Sequence, residues 1–261
     1  MKFNFYKYQG TGNDFVILDN RDLSFPKERT DLVAQICDRR FGIGADGFML
    51  LENAAGYDFK MVYYNADGNE SSMCGNGGRC LVAFAKKCNV ITDKAHFIAV
   101  DGPHEAVVMD DLVSLKMIDV NQVEVAPSHV FMNTGSPHHV TLVPAVDQVD
   151  VKNQGAAIRY GDLYGQAGAN VNFVTQKNEN TFDVRTYERG VEDETLSCGT
   201  GATAVALAMH KLGKSQNTDI TLNVPGGVLE VAFEVADAGY QNIFLKGPAT
   251  FVFEGVISLK V

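Results

Sequence analysis

The sequence predicts an α/β protein of the α+β kind, built as two pseudo-symmetric halves. Three observations lead there. A short phrase occurs twice, as Cys74-Gly75-Asn76-Gly77 and as Cys198-Gly199-Thr200-Gly201, once in each half of the 261-residue chain. Each copy follows a polar loop and opens an Ala-rich apolar run that reads as a helix. The rest of each half consists of short alternating or continuously apolar segments punctuated by Gly, Asn, Asp and Pro, which is the pattern of strands and turns. A chain of this length accommodates two domains of roughly 130 residues. They are expected at 1–126 and 127–249, with Pro127 at the boundary.

In chain order, residues 2–8 and 14–19 read as strands around the turn Gln9-Gly10-Thr11-Gly12-Asn13. Ser24 to Arg40 reads as a helix, capped by Ser24, with Pro26 in its first turn and Leu32, Val33, Ile36 and Cys37 as its apolar stripe. Strands follow at 48–52 and 58–64, then the turn Asn65-Ala66-Asp67-Gly68, the polar loop Asn69 to Met73, and a helix from Asn76 to Cys88. Strands at 95–100, 105–109, 112–118 and 121–125 complete the first half. The second half repeats the plan. Strands at 128–133 and 139–143 flank Thr134-Gly135-Ser136-Pro137-His138, and a helix occupies 150–160. Strands at 171–176 and 182–187 lead to Glu188-Arg189-Gly190, a polar loop, and a helix from Thr200 to Leu212. Strands at 219–224, 228–234, 242–247 and 250–260 end the chain.

A net charge of −10 and a pI near 5.0 argue against nucleic acid or an anionic membrane as a partner. No apolar run approaches the roughly 18 residues of a membrane span. The opening segment alternates like a strand and lacks the apolar core of a signal peptide. Five irregularly spaced Cys, with no CxxC and no zinc-type Cys/His spacing, suit free thiols in a reducing, cytoplasmic compartment. Cys37 and Cys80 lie on apolar helix faces and read as core, and Cys88 closes a helix.

Cys74 and Cys198 stand where chemistry is favoured. The first N–H groups of a helix are unpaired and its dipole end is positive, and both favour a thiolate. Gly at the next positions lets a ligand approach the backbone, and the same N–H groups can hold a carboxylate. A lone Cys-Gly is ordinarily a small buried residue before a turn. Two copies in matched contexts point to an acid–base pair acting on one carbon beside a carboxylate, one thiolate and one thiol exchanging roles with direction. Donors aimed at the carboxylate would stabilise the enolate-like charge. Neither a P-loop nor a persuasive dinucleotide fingerprint is present, and neither a cofactor nor a metal is expected.

These residues resemble diaminopimelate epimerase over nearly the whole chain. The phrases that carry the resemblance are Gly10-Thr11-Gly12-Asn13-Asp14-Phe15, Phe41-Gly42-Ile43-Gly44-Ala45-Asp46, Asn65-Ala66-Asp67-Gly68, Cys74-Gly75-Asn76-Gly77-Gly78-Arg79-Cys80, Gly168-Ala169-Asn170-Val171-Asn172-Phe173, Tyr187-Glu188-Arg189-Gly190 and Cys198-Gly199-Thr200-Gly201-Ala202, in the family's order. The resemblance implies two domains, each a mostly antiparallel, barrel-like sheet around a central helix. The site would lie in the cleft between them, and residues 250–261 would return to the first domain. It implies a pyridoxal-phosphate-independent epimerase interconverting LL- and meso-2,6-diaminopimelate in lysine and cell-wall synthesis, and a homodimer. Carried over by position, Cys74 and Cys198 are the acid–base pair. Gly75, Asn76, Gly199 and Thr200 supply donors to the reacting carboxylate. Asn13, Asn65, Asn170, Glu188 and Arg189 read the rest of the substrate, and His138 lines the cleft.

Three positions depart from the family pattern. Gly47 stands where some members have Gln. Ser136 stands where many have Asn. The loop from Arg189 to Cys198 is one residue longer than in some members. The nearest rival is a proline or hydroxyproline racemase, which typically carries His after the first Cys-Gly, where this chain has Asn76. A phenazine-type isomerase shares the architecture without the thiol pair. A thiol redox or metal-binding protein, or a non-catalytic amino-acid-binding module, represents other classes.

Overall fold

The computed structural model describes residues 1–71 and 73–259. Ser72, in the expected polar loop, and Lys260 and Val261, at the end of the segment expected to return to the first domain, lie outside the described residues. The chain divides into two units, Met1–Leu115 with the segment from Pro248 on, and Lys116–Gly247. The passage to the second unit thus comes before Pro127. Backbone bonds of Met117 to Ile243 (2.8 Å) and of Val120 to Tyr240 (2.8 Å) tie this stretch to the second unit.

In the first unit, β1 (Lys2–Gly10), β2 (Asn13–Asp19), α1 (Thr30–Cys37), β3 (Gly47–Glu52), β4 (Phe59–Asn65), α2 (Gly75–Lys87), β5 (Lys94–Ala99), β6 (Gly102–Met109) and β7 (Leu112–Lys116) follow in order. Pairing is antiparallel for β1–β2, parallel for β2–β3, antiparallel for β3–β4, parallel for β4–β5, then antiparallel through β5–β6 and β6–β7. The two parallel steps need crossovers, and α1 and α2 supply them. β2 and β3 are covered on both faces and therefore read as continuous apolar runs, Phe15-Val16-Ile17-Leu18 and Phe48-Met49-Leu50-Leu51. One face, with Val16, Leu18, Phe48, Leu50, Val62 and Tyr64, forms a cluster with Leu32, Val33, Ile36 and Cys37 of α1. The alternate face holds Phe15 and Met49, which approach α2 at Gly77.

In the second unit, β8 (Val123–Val125), β9 (Val130–Asn133), β10 (Pro137–Leu142), α3 (Val151–Arg159), β11 (Asn170–Gln176), β12 (Thr181–Glu188), β13 (Asp193–Thr195), α4 (Gly199–Lys211), β14 (Asp219–Val224), β15 (Gly227–Ala236) and β16 (Gly239–Pro248) follow. From β9 the sequence of pairings is the same: antiparallel, parallel, antiparallel, parallel, antiparallel, antiparallel. The last strand, β17 (Thr250–Ser258), pairs antiparallel with β1 and so belongs to the first unit. The repeat is thus a repeat of topology, with β8 and β17 each added beside the first strand of a unit.

Several elements differ from expectation. The first helix begins at Thr30, not Ser24. Phe25 is buried against Phe48 (ring centroids 5.0 Å) and Phe3 (5.4 Å), and Asn20 Oδ1 accepts from its N–H at 2.9 Å. That anchoring keeps residues 24–29 out of the helix. The helix stops at Cys37 because Asp38 turns extended and its carboxylate accepts from the N–H groups of Arg40 and Phe41, both at 2.7 Å. The sequence also gives no sign of a short 3₁₀ helix at Val146–Gln148, or of β13, a three-residue strand on β12 inside the polar loop. Its counterpart in the first unit is a single bridge between Tyr64 and Glu70.

Candidate active site

Cys74 and Cys198 occupy the same structural position. Each is the extended N-cap residue of a 13-residue helix, with no side-chain capping bond. The first intrahelical bonds are Gly78 N–H to Cys74 O (2.7 Å) and Ala202 N–H to Cys198 O (2.9 Å). The N–H groups of Gly75, Asn76 and Gly77, and of Gly199, Thr200 and Gly201, therefore have no acceptor within the helix. The dipole adds partial positive charge at both mouths. Lys86 and Lys87 close α2, and His210 and Lys211 close α4, at the ends where positive charge is favourable.

In the first unit the structure brings Asn13, Cys74 and Asn76 together. Cys74 Sγ donates to Asn13 Oδ1 at 3.6 Å, and Asn76 Nδ2 donates to the same oxygen at 3.3 Å. Asn13 starts β2 and is held from behind, its Nδ2 donating to Asp46 Oδ2 at 2.8 Å. Asp46 in turn meets Arg39 (2.7 Å), and Arg39 and Lys7 both pair with Asp14 at 2.6 Å. Burial works to raise the Asp14 pKa, but hydrogen bonds from Arg39 and Lys7 outweigh it and hold the carboxyl down at about 2. Lys7 also donates to Gly44 O, which pins the loop carrying Asp46. Asn65 ends β4 at an exposed position, its carbonyl accepting from Gly68 N–H at 2.9 Å.

Arg79 lies inside the first Cys-Gly motif, where the sequence alone gives it no role. It is fully buried, and its guanidinium donates to Asn76 Oδ1 (2.9 Å) and Gly75 O (3.4 Å). Gly10 makes room for it: a Cβ there would lie 3.3 Å from Arg79 Nη2 and 3.3 Å from Asn76 O. Burial works to lower the Arg79 pKa, and the Cys80 and Cys74 sulfurs oppose this. At the equivalent place on α4, Thr203 Oγ1 donates to Gly199 O at 3.0 Å.

The second unit gathers His138, Asn170, Arg189, Cys198 and Thr200 into one connected set. Cys198 Sγ lies 3.5 Å from Thr200 Oγ1, which lies 2.9 Å from His138 Nε2. Asn170 Nδ2 donates to Ser136 Oγ (2.9 Å) and Pro137 O (3.1 Å), and Asn170 Oδ1 accepts from Arg189 N–H at 2.8 Å. The Arg189 guanidinium donates to Ala167 O (3.0 Å) and Ser136 Oγ (3.4 Å). Ser136, where many family members have Asn, thus joins Asn170 to Arg189. Glu188 ends β12 beside Arg189, paired through its backbone with Asp193. His138 is completely buried, and burial first, then the Arg189 charge, push its pKa down to about 3. It is therefore neutral under ordinary conditions.

Gly47 has a local explanation. A Cβ there would lie 2.5 Å from Tyr63 Cε2 and 2.9 Å from Tyr63 Oη, so the Tyr63 ring fills the space that a Gln would need. Gly47→Gln alone is expected to destabilise the fold by about 1–3 kcal/mol through overpacking. In a urea-denaturation double-mutant cycle with Tyr63→Ala, a favourable coupling of about 1 kcal/mol or more is expected. Strict additivity would show that the ring is not the obstacle.

Among the described residues no group of three or more His, Cys, Asp and Glu is placed to hold a metal ion, and no helix is long and apolar enough to cross a membrane. A model of the diaminopimelate epimerase family matches residues 5–122 and 130–252. A diaminopimelate epimerase of Flavobacterium psychrophilum is 62% identical over 253 residues, spanning 97% of this chain and 99% of that one. One from Aquifex aeolicus is 40% identical over 279 residues, spanning 98% of both. Among solved structures, a Bacillus anthracis protein of the PhzF phenazine-biosynthesis family has a TM-score of 0.79 at 13% identity, covering 99% of this chain and 100% of that one. A hydroxyproline epimerase from Agrobacterium vitis, covered over 93% of its length by 99% of this chain, has a TM-score of 0.70, also at 13% identity. These two likenesses concern the fold, whereas the family model and the curated relatives span both cysteine helices, and on that ground the chain belongs to the diaminopimelate epimerase family.

Proposed function

We propose that this protein interconverts LL- and meso-2,6-diaminopimelate without a cofactor, in lysine and peptidoglycan precursor synthesis, by moving one α-proton between two thiols. The observation that carries the reading is the doubled helix mouth, with Cys74 and Cys198 as matched N-caps of α2 and α4. A cytoplasmic homodimer without nucleic-acid or membrane partners belongs to the same reading.

In this mechanism one sulfur, as thiolate, takes the α-proton from one face, and the other, as thiol, delivers a proton to the opposite face. The α-carbon is inverted, and the two sulfurs have exchanged states. The proton is weakly acidic, so the developing enolate-like charge on the reacting carboxylate has to be stabilised. The N–H groups of Gly75, Asn76, Gly199 and Thr200 are the donors for it, strengthened by the helix dipoles. The distal amino-acid end is read by Asn13, Asn65 and Asn170, with Arg189 as partner of its carboxylate and Glu188 as partner of its ammonium. His138 acts behind this set, through Thr200.

Asn76 follows the first Cys-Gly where proline racemases typically carry His, and this favours diaminopimelate over an imino acid. The deciding experiment is incubation with LL-diaminopimelate in deuterated water. The expected result is interconversion with deuterium at one α-carbon. Inertness on diaminopimelate together with racemisation of proline would overturn the assignment.

A further inference from the structure

The two sulfurs lie beside different hydrogen-bonding groups, Cys74 Sγ beside an amide oxygen that only accepts and Cys198 Sγ beside a hydroxyl that can also donate, and the residues beneath each helix differ to match. Strand pairing makes positions of the two units equivalent. Phe15 pairs with Gly47 as His138 pairs with Asn170, and Met49 lies opposite Tyr63 as Asn172 lies opposite Thr186. Toward α2 the row is Phe15, Met49 and Tyr63, and a Cβ on Gly77 would touch Met49 Sδ (3.1 Å) and Phe15 Cε1 (3.4 Å). Toward α4 the row is His138, Asn172 and Thr186, all buried, and a Cβ on the equivalent Gly201 would meet Asn172 Oδ1 at 2.6 Å. One unit has two aromatic rings and a thioether where the other has an imidazole, an amide and a hydroxyl bonded in series.

The direction of every bond in that polar row is determined. The His139 carbonyl accepts from Asn172 at 3.0 Å, so the NH₂ end of that amide faces it. Asn172 Oδ1 accepts from Thr186 Oγ1 at 3.0 Å. The second Asn172 hydrogen goes to His138 Nδ1 at 3.2 Å, which makes Nδ1 the acceptor of the neutral ring and leaves the proton on Nε2. Asn170 also lies 3.4 Å from Nε2, but its two hydrogens are directed to Ser136 Oγ and Pro137 O. Nε2–H therefore donates to Thr200 Oγ1; between that oxygen and Cys198 Sγ, 3.5 Å apart, either atom can donate to the other, so the hydroxyl is able to serve a thiolate there. At the other mouth, Asp46 holds the Asn13 amide so that its oxygen, an acceptor, faces Cys74 Sγ.

We infer that the resting protein holds its sulfurs in opposite states, Cys198 as the thiolate and Cys74 as the thiol, with His138 the positioning residue that turns the Thr200 hydroxyl toward Cys198. A donor stabilises a thiolate and an acceptor stabilises a thiol. The free protein would then be set to take its proton from the isomer that presents it to Cys198. Other charged or titratable groups near the sulfurs include Arg79 and the Cys80 thiol on α2, Asp46 behind Asn13, and Arg189 beside His138. Arg79 pulls the other way on Cys74. Its contact with Asn76 Oδ1, however, turns Asn76 Nδ2 toward Asn13 Oδ1 and so steadies the acceptor.

The inference rests on the two-thiol reading, but its test needs no substrate, so its failure is separable from failure of the epimerase activity. Thiolate absorbance near 240 nm is followed against pH in Cys74→Ala, which keeps Cys198, and in Cys198→Ala, which keeps Cys74. Burial pushes Cys37 and Cys80 up to about 12 and raises Cys88, so they stay out of the neutral range. The step in Cys74→Ala is expected at least about one pH unit below that in Cys198→Ala. Coincident steps, or the reverse order, would overturn the assignment. Adding His138→Phe, the residue type at the equivalent position of the first unit, or Thr200→Val to Cys74→Ala is expected to raise its step by about one unit, with Thr200→Ser restoring it. A step unmoved in a folded variant of either kind would remove His138 and Thr200 from the relay.

Discussion

Cys74→Ala and Cys198→Ala are each expected to lose interconversion by at least about a thousandfold, within the range that a positioned acid or base contributes. The two losses should not be identical in kind. Inversion needs a base on one face and an acid on the other, but exchange needs only a base that takes a proton and returns a solvent-derived one to the same face. A protein with one remaining thiol can still exchange the α-proton of the isomer which that thiol reaches. In deuterated water, Cys198→Ala should label one isomer without inverting it, Cys74→Ala should label the other, and the double variant should label neither. Cys198 is a small buried side chain and Cys74 is half-buried, so neither change opens a large cavity, and far-UV circular dichroism should be unaltered. Inversion surviving in the double variant would rule out proton transfer by the thiols.

The elements that carry this chemistry were legible because local composition alone specifies them. A Gly-rich start followed by an Ala-rich run predicts helices from Asn76 and from Thr200, and α2 and α4 start one residue earlier, at Gly75 and Gly199. The topological repeat was legible only as a similarity of plan, because sequence order does not reveal that β2–β3 and β10–β11 pair in parallel across their intervening helices. The start of α1 was misplaced because Ser24 and Pro26 make a good helix entry in isolation, while the pull of Phe25 into the core is tertiary. The row His138, Asn172 and Thr186 was the least accessible part. Its members lie on three strands, and each is unremarkable until strand register sets them beneath one helix. His138 stood out as a residue of the site, but its connection to Cys198 runs through Thr200 and depends on which way two amides and one imidazole face. Arg79 sits inside the first Cys-Gly motif, yet nothing in the one-dimensional pattern says that its side chain turns back into the first turn of its own helix.

The substrate's far end is where Arg189 acts in the proposed mechanism, and Arg189→Met is expected to lower kcat/KM for diaminopimelate about a hundredfold. The magnitude follows from the site. The guanidinium donates to two neutral oxygens, Ala167 O and Ser136 Oγ, and the backbone N–H is held separately by Asn170 Oδ1. Those contacts orient the side chain without neutralising it, so a carboxylate arriving there gains charge-assisted bonds of about 3 kcal/mol in all, which is roughly a hundredfold. Because the clamp is remote from the reacting carbon, it holds ground state and transition state alike, and the loss should appear mainly in KM. Lysine gives the sharper comparison. It keeps the reacting amino-acid end and the distal ammonium and lacks only the distal carboxylate. The wild-type protein should prefer diaminopimelate strongly, and Arg189→Met should bring the two substrates close together by weakening one and leaving the other nearly unchanged. An equal loss on both substrates would mean that Arg189 supports the loop around Asn170 and Ser136 and does not read the carboxylate. If neither substrate is affected, the distal end is recognised elsewhere.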